Sequence, residues 1–450
     1  MQRNKDPSSF RDPSGYVFYE GNKIFRTIDD SYAKHYELFL SSGLYDELVN
    51  RKMLIPHKEV AKTDDTYKVI QPERVKIISY PYEWSFEQLK DVAIRLLEIQ
   101  KIAMNYDMTL KDATPYNFQF VFNNPVLIDT LSFESYTKGQ IWKPYKQFCE
   151  SILSPLLLAK YVDPRLLRMT RVFKDGIPLE TTSRLLPLKT KFVLSIALNI
   201  HAHAKSQKKY AKKGTKIGKK LSKNSLLGII ENLQSLIKNL SLTNEKTNWS
   251  NYYEETNYTD TSFNQKQTIV RKFLDTIKPA VVLDLGSNTG VFAKIAREFT
   301  DHVIACDEDH ESINRLYIEC KKDNSSILPL VLDVTNPSPN IGWMNKERGS
   351  FFTRINADTV LALALVHHLA IANNLPFEKI AEFFSEISAN LIIEFIPKSD
   401  SQVKKMLSSR EDIFKDYTQK NFEKTMMKYF NKTSMIKLED LDRILYLFRK

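Results

Sequence analysis

A chain of 450 residues with 42% hydrophobic and 11% aromatic content exceeds one ordinary core, which predicts two or three domains and excludes wholesale disorder. Three cysteines (Cys149, Cys306, Cys320), none in a CxxC pair, exclude a disulfide framework and a structural zinc site, and point to a reducing, cytoplasmic compartment. The net charge is +11, but nine lysines and no acid fall between His201 and Asn224, and about +2 remains without them, so the basic balance is local. The first residues, MQRNKDPSSFRDPSGY, lack the apolar core of a secretory signal. The longest apolar runs, such as Thr359 to Val366, fall far short of a membrane span.

In chain order, Gly15 to Ile28 reads as a hairpin around Glu20-Gly21-Asn22, and Asp29 or Asp30 caps a helix through Tyr32 to Leu48. Val75 to Tyr80 reads as a strand, and Ser85 to Tyr106 as an amphipathic helix capped by Ser85. Short strands follow at Phe118 to Phe122 and Val126 to Ile128. From Ile141 to about Leu240 the pattern is helical, broken near Pro164 and Pro178. A polar interval precedes a helix over Asn264 to Lys278.

Apolar strands and helices then alternate, with strands at Val281–Leu285, Val303–Cys306, Ile327–Leu332, Thr359–Val366 and Leu391–Ile396. Continuous apolar strands separated by helices predict a parallel sheet covered on both faces. A closing pair, Met435–Leu438 and Ile444–Phe448, fits an antiparallel edge. The expected regions are an α+β module over 1–135, a helical region holding the lysine-rich segment over 136–247, and an α/β domain over 248–450.

The first strand of that domain runs into DLGSNTG (284–290) and then a helix over Val291 to Phe299. Glycine at 286 permits a sharp turn, and glycine at 290 a helix start close to a ligand. With 12 glycines in 450 residues, two at this spacing carry weight. A nicotinamide fingerprint needs glycine where Asn288 stands, and a P-loop needs GKS or GKT, which is absent. The second strand ends at Asp307, positioned to accept both hydroxyls of a ribose, and the third at Asp333.

These acids and glycines together resemble the class I S-adenosylmethionine-dependent methyltransferases. The resemblance implies a seven-stranded, doubly wound, Rossmann-like α/β sheet over 248–450, with S-adenosylmethionine as cofactor. It places Gly286 and Gly290 near the methionine part, Asp307 at the ribose and Asp333 at the adenine, with Asp284 and Asn288 in the cofactor-binding glycine loop. WSNYYEETNY (249–258), including Tyr258, would cover the cofactor, or serve as packing aromatics. The fourth strand leads to His367 and His368, where acceptor chemistry is expected. A neutral imidazole there could take a proton from a hydroxyl; alternatively, one histidine caps a helix and the other packs against it. Asn336-Pro337-Ser338-Pro339 follows the third strand rather than the fourth, so it is not the amino-group methyltransferase motif. Glu394 and Lys398 either line the acceptor pocket or form structural salt bridges.

In LKDATPYNFQFVFNNPVLIDTLSFE (110–134), Asp112, Asn117 and Asp129 have a spacing that resembles the catalytic and metal-binding loops of kinase-like and aminoglycoside phosphotransferases. The resemblance implies an α+β kinase-like module with a helical lobe, with ATP and Mg2+ held by Asn117 and Asp129 beside Asp112. Lys23, Arg26 and Glu37 are the upstream partners in that layout. No glycine-rich loop is visible, so a degenerate binding module is the more economical form. YPYEW (80–84), KDATPYN (111–117) and IIEFIPK (392–398) further resemble a group of bacterial two-module methyltransferases, some nodulation-protein-like.

The expected activity is methyl transfer to oxygen on a small-molecule or glycan acceptor; the alternatives are an RNA methyltransferase and a bifunctional kinase–methyltransferase. The lysine stretch reads as a solvated face, or as a grip on RNA, an anionic glycan or an acidic lipid surface. Its single aromatic, Tyr210, disfavours base stacking.

Overall fold

The computed structural model describes residues 4–61, 66–206, 221–242, 259–408 and 410–450. Two compact units form: Met1–Thr243 with Pro339–Gly349, and Asn244–Ser338 with Ser350–Lys450. Among the described residues, no helix is long and apolar enough to cross a membrane.

The first unit opens with strands β1 (Asn4–Lys5), β2 (Val17–Glu20), β3 (Lys23–Ile28), β4 (His57–Val60) and β5 (Lys68–Pro72), in the antiparallel order β1-β2-β3-β5-β4. The hairpin turns at Gly21, as expected. The single helix expected over Tyr32 to Leu48 is two helices, α1 (Ala33–Ser41) and α2 (Leu44–Asn50). They are separated by Gly43 at φ 85, a left-handed conformation that ends a helix cheaply only at glycine.

Val75 to Tyr80 is not a strand. Its backbone finds a side chain instead: the Ser79 N–H donates to Gln119 Oε1 (2.9 Å), and Gln119 Nε2 donates to the Ser79 carbonyl (2.9 Å). The next helix, α3 (Phe86–Asn105), begins as its sequence predicts. The Gln88 N–H donates to Ser85 Oγ and the Ser85 N–H to Gln88 Oε1, a reciprocal capping box. Pairs β6 (Met108–Leu110) with β9 (Phe133–Ser135) and β7 (Phe118–Val121) with β8 (Asn124–Leu127) follow, then the helical region.

In the second unit, α4 (Asp260–Ile277) leads into a seven-stranded sheet. Its strands are β10 (Val282–Leu285), β11 (Val303–Asp307), β12 (Leu328–Val331), β13 (Thr359–Ala362), β14 (Asn390–Phe395), β15 (Asn431–Lys437) and β16 (Ile444–Arg449). The order is β12-β11-β10-β13-β14-β16-β15, with the first five parallel and β16 antiparallel to both of its neighbours. This is the doubly wound sheet that the alternating pattern implied. β10, β12 and β13 are buried along their whole length, which is why their sequences are continuously apolar rather than alternating. The chain winds outward from β10 to β12 and then returns to β13, so the strand order reverses between β10 and β13. A crevice at the carboxyl ends of these strands is where doubly wound sheets bind ligands.

A charged cluster is buried beside that end of the sheet. Lys266 of α4 lies 2.7 Å from Glu394 Oε2 on β14; Glu394 Oε2 also accepts the Ala364 N–H (2.8 Å), and Arg443 Nη1 stands 4.0 Å from Oε1. Arg443 Nε donates to Asp400 Oδ2 at 2.8 Å. A buried ion pair is weak support for stability when intact but costly when halved. Lys266→Met, which strands the Glu394 charge, is therefore expected to destabilise the unit by about 3–5 kcal/mol. The double variant Lys266→Met/Glu394→Gln should recover part of that loss, and urea unfolding of both reads the difference.

Candidate functional site

The crevice is built from three loops. After β10 the chain turns through Gly286 (φ 75), Asn288 (φ 49) and Gly290 (φ 78). The Gly286 and Ser287 N–H groups both donate to the Cys306 carbonyl, at 2.8 and 2.9 Å, which ties this loop to β11. A Cβ at Gly290 would stand 2.5 Å from Leu316 Cδ1. That glycine therefore serves its left-handed backbone and the packing of the helix over His310–Lys322.

Asp307 ends β11. Its Oδ2 accepts the Asn288 N–H and its Oδ1 the Asp309 N–H, both at 2.9 Å. The glycine loop and the ribose-candidate acid, read separately in the sequence, are thus directly bonded. An ionised carboxylate offers about four acceptor sites, so two remain for a ligand. Asp284, one turn of the pleat below, is 2% exposed, and among the described residues its Oδ2 finds no hydrogen-bond partner. The Ser287 hydroxyl is likewise buried without a partner.

Burial, with the nearby Asp307 charge adding to it, pushes the Asp284 carboxyl up to about 7. Burial raises Asp307 to about 6, against the opposing effect of the two N–H donors. Such carboxyls suit a site whose charge is completed by a bound group. Asp333 stands just beyond β12, where its Oδ1 accepts the Thr335 N–H (2.9 Å) and hydroxyl (2.6 Å).

On the other side of the switch, β13 ends at Ala362 rather than continuing to Val366. The chain turns at Ala364, whose φ of 51 is unusual for a residue with a Cβ and is held by the Glu394 carboxylate. A helix then starts, and the stretch His368–Ala372 is wound as a π-helix, a form found often at functional sites. His367 is buried, its ring 4.2 Å from that of His368. Its Nδ1 has no partner among the described residues. Burial holds His367 well below the usual imidazole range, with His368, Arg443 and Lys266 acting the same way; burial brings His368 down to about 4. Both imidazoles are neutral at physiological pH.

Glu394 and Lys398 take the structural role weighed for them: Glu394 pairs with Lys266, and Lys398 with Asp412 at 2.7 Å. Sequence reasoning missed Ser287 and the contribution of Ala364. Ser287 stood inside the glycine motif, but nothing local marks Ala364. Tyr258, the rest of 249–258, and the lysines from Lys208 to Lys220 lie outside the described residues.

In the first unit, Asp112, Asn117 and Asp129 are brought together, Asn117 bonding to Asp112 and Ser132 linking Asn117 to Asp129. Asn117 Nδ2 donates to Asp112 Oδ2 (3.3 Å) and Ser132 Oγ (3.1 Å), and Ser132 Oγ donates to Asp129 Oδ2 (2.8 Å). Arg26, not Lys23, is the cation at this cluster, 3.0 Å from Asp129 Oδ1, and it also pairs with Asp12. Glu37 pairs with Lys68 at 3.1 Å. Burial, then the Asp129 charge, raises the Asp112 carboxyl. No group of three or more His, Cys, Asp or Glu arranged to hold a metal occurs among the described residues.

No family model matches the chain. Solved structures similar to part of it include the N-methyltransferase NodS from Bradyrhizobium japonicum WM9 with S-adenosyl-L-homocysteine, at 11% identity, covering 45% of this chain and 99% of that one, with a TM-score of 0.33. Magnesium protoporphyrin IX methyltransferase (ChlM) from Synechocystis PCC 6803 is similar at 17% identity over 42% of this chain and 84% of that one, TM-score 0.30. The bifunctional kinase-methyltransferase WbdD is similar at 16% identity over 41% of this chain and 39% of that one, TM-score 0.29. Likenesses of this size carry no weight for activity or substrate. In sequence, the chain is 33% identical over 455 aligned residues to the nodulation protein NoeA of Rhizobium meliloti (strain 1021), covering 98% of this chain and 95% of that one. It belongs to the NoeA family of nodulation proteins.

Proposed function

We propose that the second unit binds S-adenosylmethionine in the β10–β13 crevice and that the protein methylates an oxygen nucleophile on a small-molecule or glycan acceptor. The observation that carries this reading is the set of buried, unpartnered polar atoms, Asp284 Oδ2 and Ser287 Oγ, beside an Asp307 that is bonded to the glycine loop. Those residues fit an adenosyl group with a cationic sulfur: acceptors for hydroxyls, a left-handed loop, and carboxyls awaiting positive charge. When bound, S-adenosylmethionine supplies an electrophilic methyl group on a sulfonium.

Asp307 orients the ribose with its remaining lone pairs, and the loop over Gly286–Gly290 lines the methionine part. Asp284 balances the positive charge. Neutral His367, with Nδ1 unpartnered, accepts the proton of the acceptor hydroxyl as the oxygen is methylated. Positioning of the acceptor supplies most of the rate. Three buried free cysteines accord with a cytoplasmic enzyme.

A second reading rests on the convergence of Asp112, Asn117 and Asp129: the first unit binds ATP, with Asn117 and Asp129 able to hold Mg2+. Magnesium-dependent ATP binding that disappears in Asp129→Asn is the expected result, and calorimetry that finds no nucleotide binding by the unaltered protein removes this reading.

For the crevice, Asp307→Ala should weaken S-adenosylhomocysteine binding by about 1.5–3 kcal/mol, roughly 10- to 100-fold. Because the Asp307 and Asp284 carboxyls are raised, binding of the cationic cofactor takes up the ionised forms. Affinity should therefore be highest near about pH 8 and fall as the pH drops through about 7 and then about 6, with the lower part of the slope reduced in Asp307→Asn. Calorimetric affinity that is equal in Asp307→Ala and the unaltered protein refutes the assignment. His367→Ala should leave cofactor affinity in place and lower kcat by about 10²–10⁴; single-turnover methylation, once an acceptor is in hand, measures it.

A further inference from the structure

The turn between β13 and His367 is gripped from two sides. At Ala364 the N–H donates to Glu394 Oε2 (2.8 Å), and the backbone is left-handed, φ 51. At Leu365 the side chain meets the glycine loop: a Cβ at Gly286 would stand 3.6 Å from Leu365 Cδ1, an ordinary contact distance. Leu365 also starts the next helix, its carbonyl accepting the His368 N–H (3.0 Å) and the Leu369 N–H (3.1 Å). His367 follows, buried, with its ring 4.2 Å from that of His368. One short turn therefore carries the partner of Glu394, a contact with the glycine loop and the candidate base.

Nothing in Ala364 itself selects that turn. A residue with a Cβ disfavours the left-handed region, and glycine would enter it at no steric cost. What holds alanine there is an acceptor fixed from outside the turn, and a buried polar cluster supplies it. Glu394 is fully buried on β14, and Lys266, 2% exposed, lies 2.7 Å from its Oε2. The Lys266 ammonium also stands 4.9 Å over the ring of Phe292, in the helix Val291–Ala296 that follows the glycine loop. Arg443 Nη1 is 4.0 Å from Glu394 Oε1. Apolar side chains of the same volume commonly hold a fold as well as a buried ion pair does. Stability alone therefore does not account for the cluster; the turn at Ala364 does.

We infer that Glu394 is a positioning residue of the methyl-transfer site: through the Ala364 N–H it fixes His367 beside the glycine loop, and Lys266 orients its carboxyl group. The inference rests on the reading of the crevice given above and adds to it the group that sets the base against the cofactor.

The test follows His367 by NMR in the full chain carrying 13C-labelled histidine, with His367→Gln assigning the signal. His368, Arg443 and Lys266 are the titratable or charged groups that act on His367, so both arms of the comparison lack Lys266. Lys266→Met/Glu394→Gln keeps an acceptor for the Ala364 N–H; Lys266→Met/Glu394→Leu deletes it. With the glutamine, His367 should stay neutral well below the usual imidazole range, and its signal should shift when S-adenosylhomocysteine is added, as in the unaltered protein. With the leucine, His367 should titrate near about 6.5, the ordinary imidazole value, and no longer respond to S-adenosylhomocysteine. Ala364→Gly, added to the leucine variant, should restore both behaviours, because glycine adopts the turn unaided. Equal titration of His367 in the glutamine and leucine variants overturns the inference, as does a folded leucine variant that Ala364→Gly leaves unrestored. If the leucine variant does not fold, Ala364→Val in the otherwise unaltered chain decides, since a β-branched side chain is an outlier in the left-handed region. A His367 that stays neutral there and still responds to S-adenosylhomocysteine overturns the inference. Calorimetry that finds no S-adenosylhomocysteine binding by the unaltered protein removes the reading of the crevice instead, and the titration alone then decides the role of Glu394.

Discussion

The second unit depends on one buried carboxyl group that three elements converge to bond. Glu394 is fully buried at the end of β14, where an isolated ion would cost several kcal/mol. Three elements meet to offset that cost: Lys266 from α4, the Ala364 N–H from the turn after β13, and Arg443 ahead of β16. Each contact also fixes geometry. The helix before the sheet is pinned to its end, and the turn after β13 is held in a left-handed conformation that alanine would otherwise avoid. The position of His367, three residues on, follows from that turn.

The crevice next to this cluster has the opposite electrostatic character. Around Glu394, charges of both signs are interleaved within hydrogen-bonding distance. Around Asp284 and Asp307 burial raises both carboxyls and neighbouring acids add to it, against Lys266 at Asp284 and two N–H donors at Asp307. A fold that gives one buried carboxyl group partners from three elements and leaves Asp284 Oδ2 with none among the described residues has the signature of a place kept for something else. The unpartnered Nδ1 of His367 and hydroxyl of Ser287 belong to the same pattern.

Features set by local sequence were legible; those set by distant partners were not. The strands of the sheet could be read because burial on both faces forces continuous apolar runs. The start of α3 could be read because Ser85 and Gln88 satisfy each other within four residues. The DLGSNTG loop could be read because φ values of 75 and 78 demand glycine. By contrast, Val75 to Tyr80 has strand composition, but its Ser79 backbone bonds to Gln119, forty residues away, and no local rule predicts that. Thr359 to Val366 reads as one long strand because the end of β13 is decided by Glu394, thirty residues beyond Ala364. The same distance effect hid the roles of Glu394 and Lys398: an acid and a lysine after a strand look alike whether they face a substrate or each find a salt-bridge partner.

The two polar clusters, one in each unit, differ in a way that ranks their chemistry. In the first unit, Asp112, Asn117, Ser132 and Asp129 are joined in one hydrogen-bonded chain and Arg26 supplies positive charge to Asp129 and Asp12, although burial raises Asp112 and the Arg26 Nε finds no partner among the described residues. A ligand entering there would have to break bonds already made, and Mg2+ would compete with Arg26 for Asp129. In the second unit, a ligand would satisfy atoms that have no partner and neutralise carboxyls that burial has left expensive to ionise. The free energy gained on binding is the difference between the two states, so the incomplete site gains more. That asymmetry makes methyl transfer the leading chemistry, in line with the sequence, where the glycine loop and its acids form a more specific pattern than the acid spacing of the first unit.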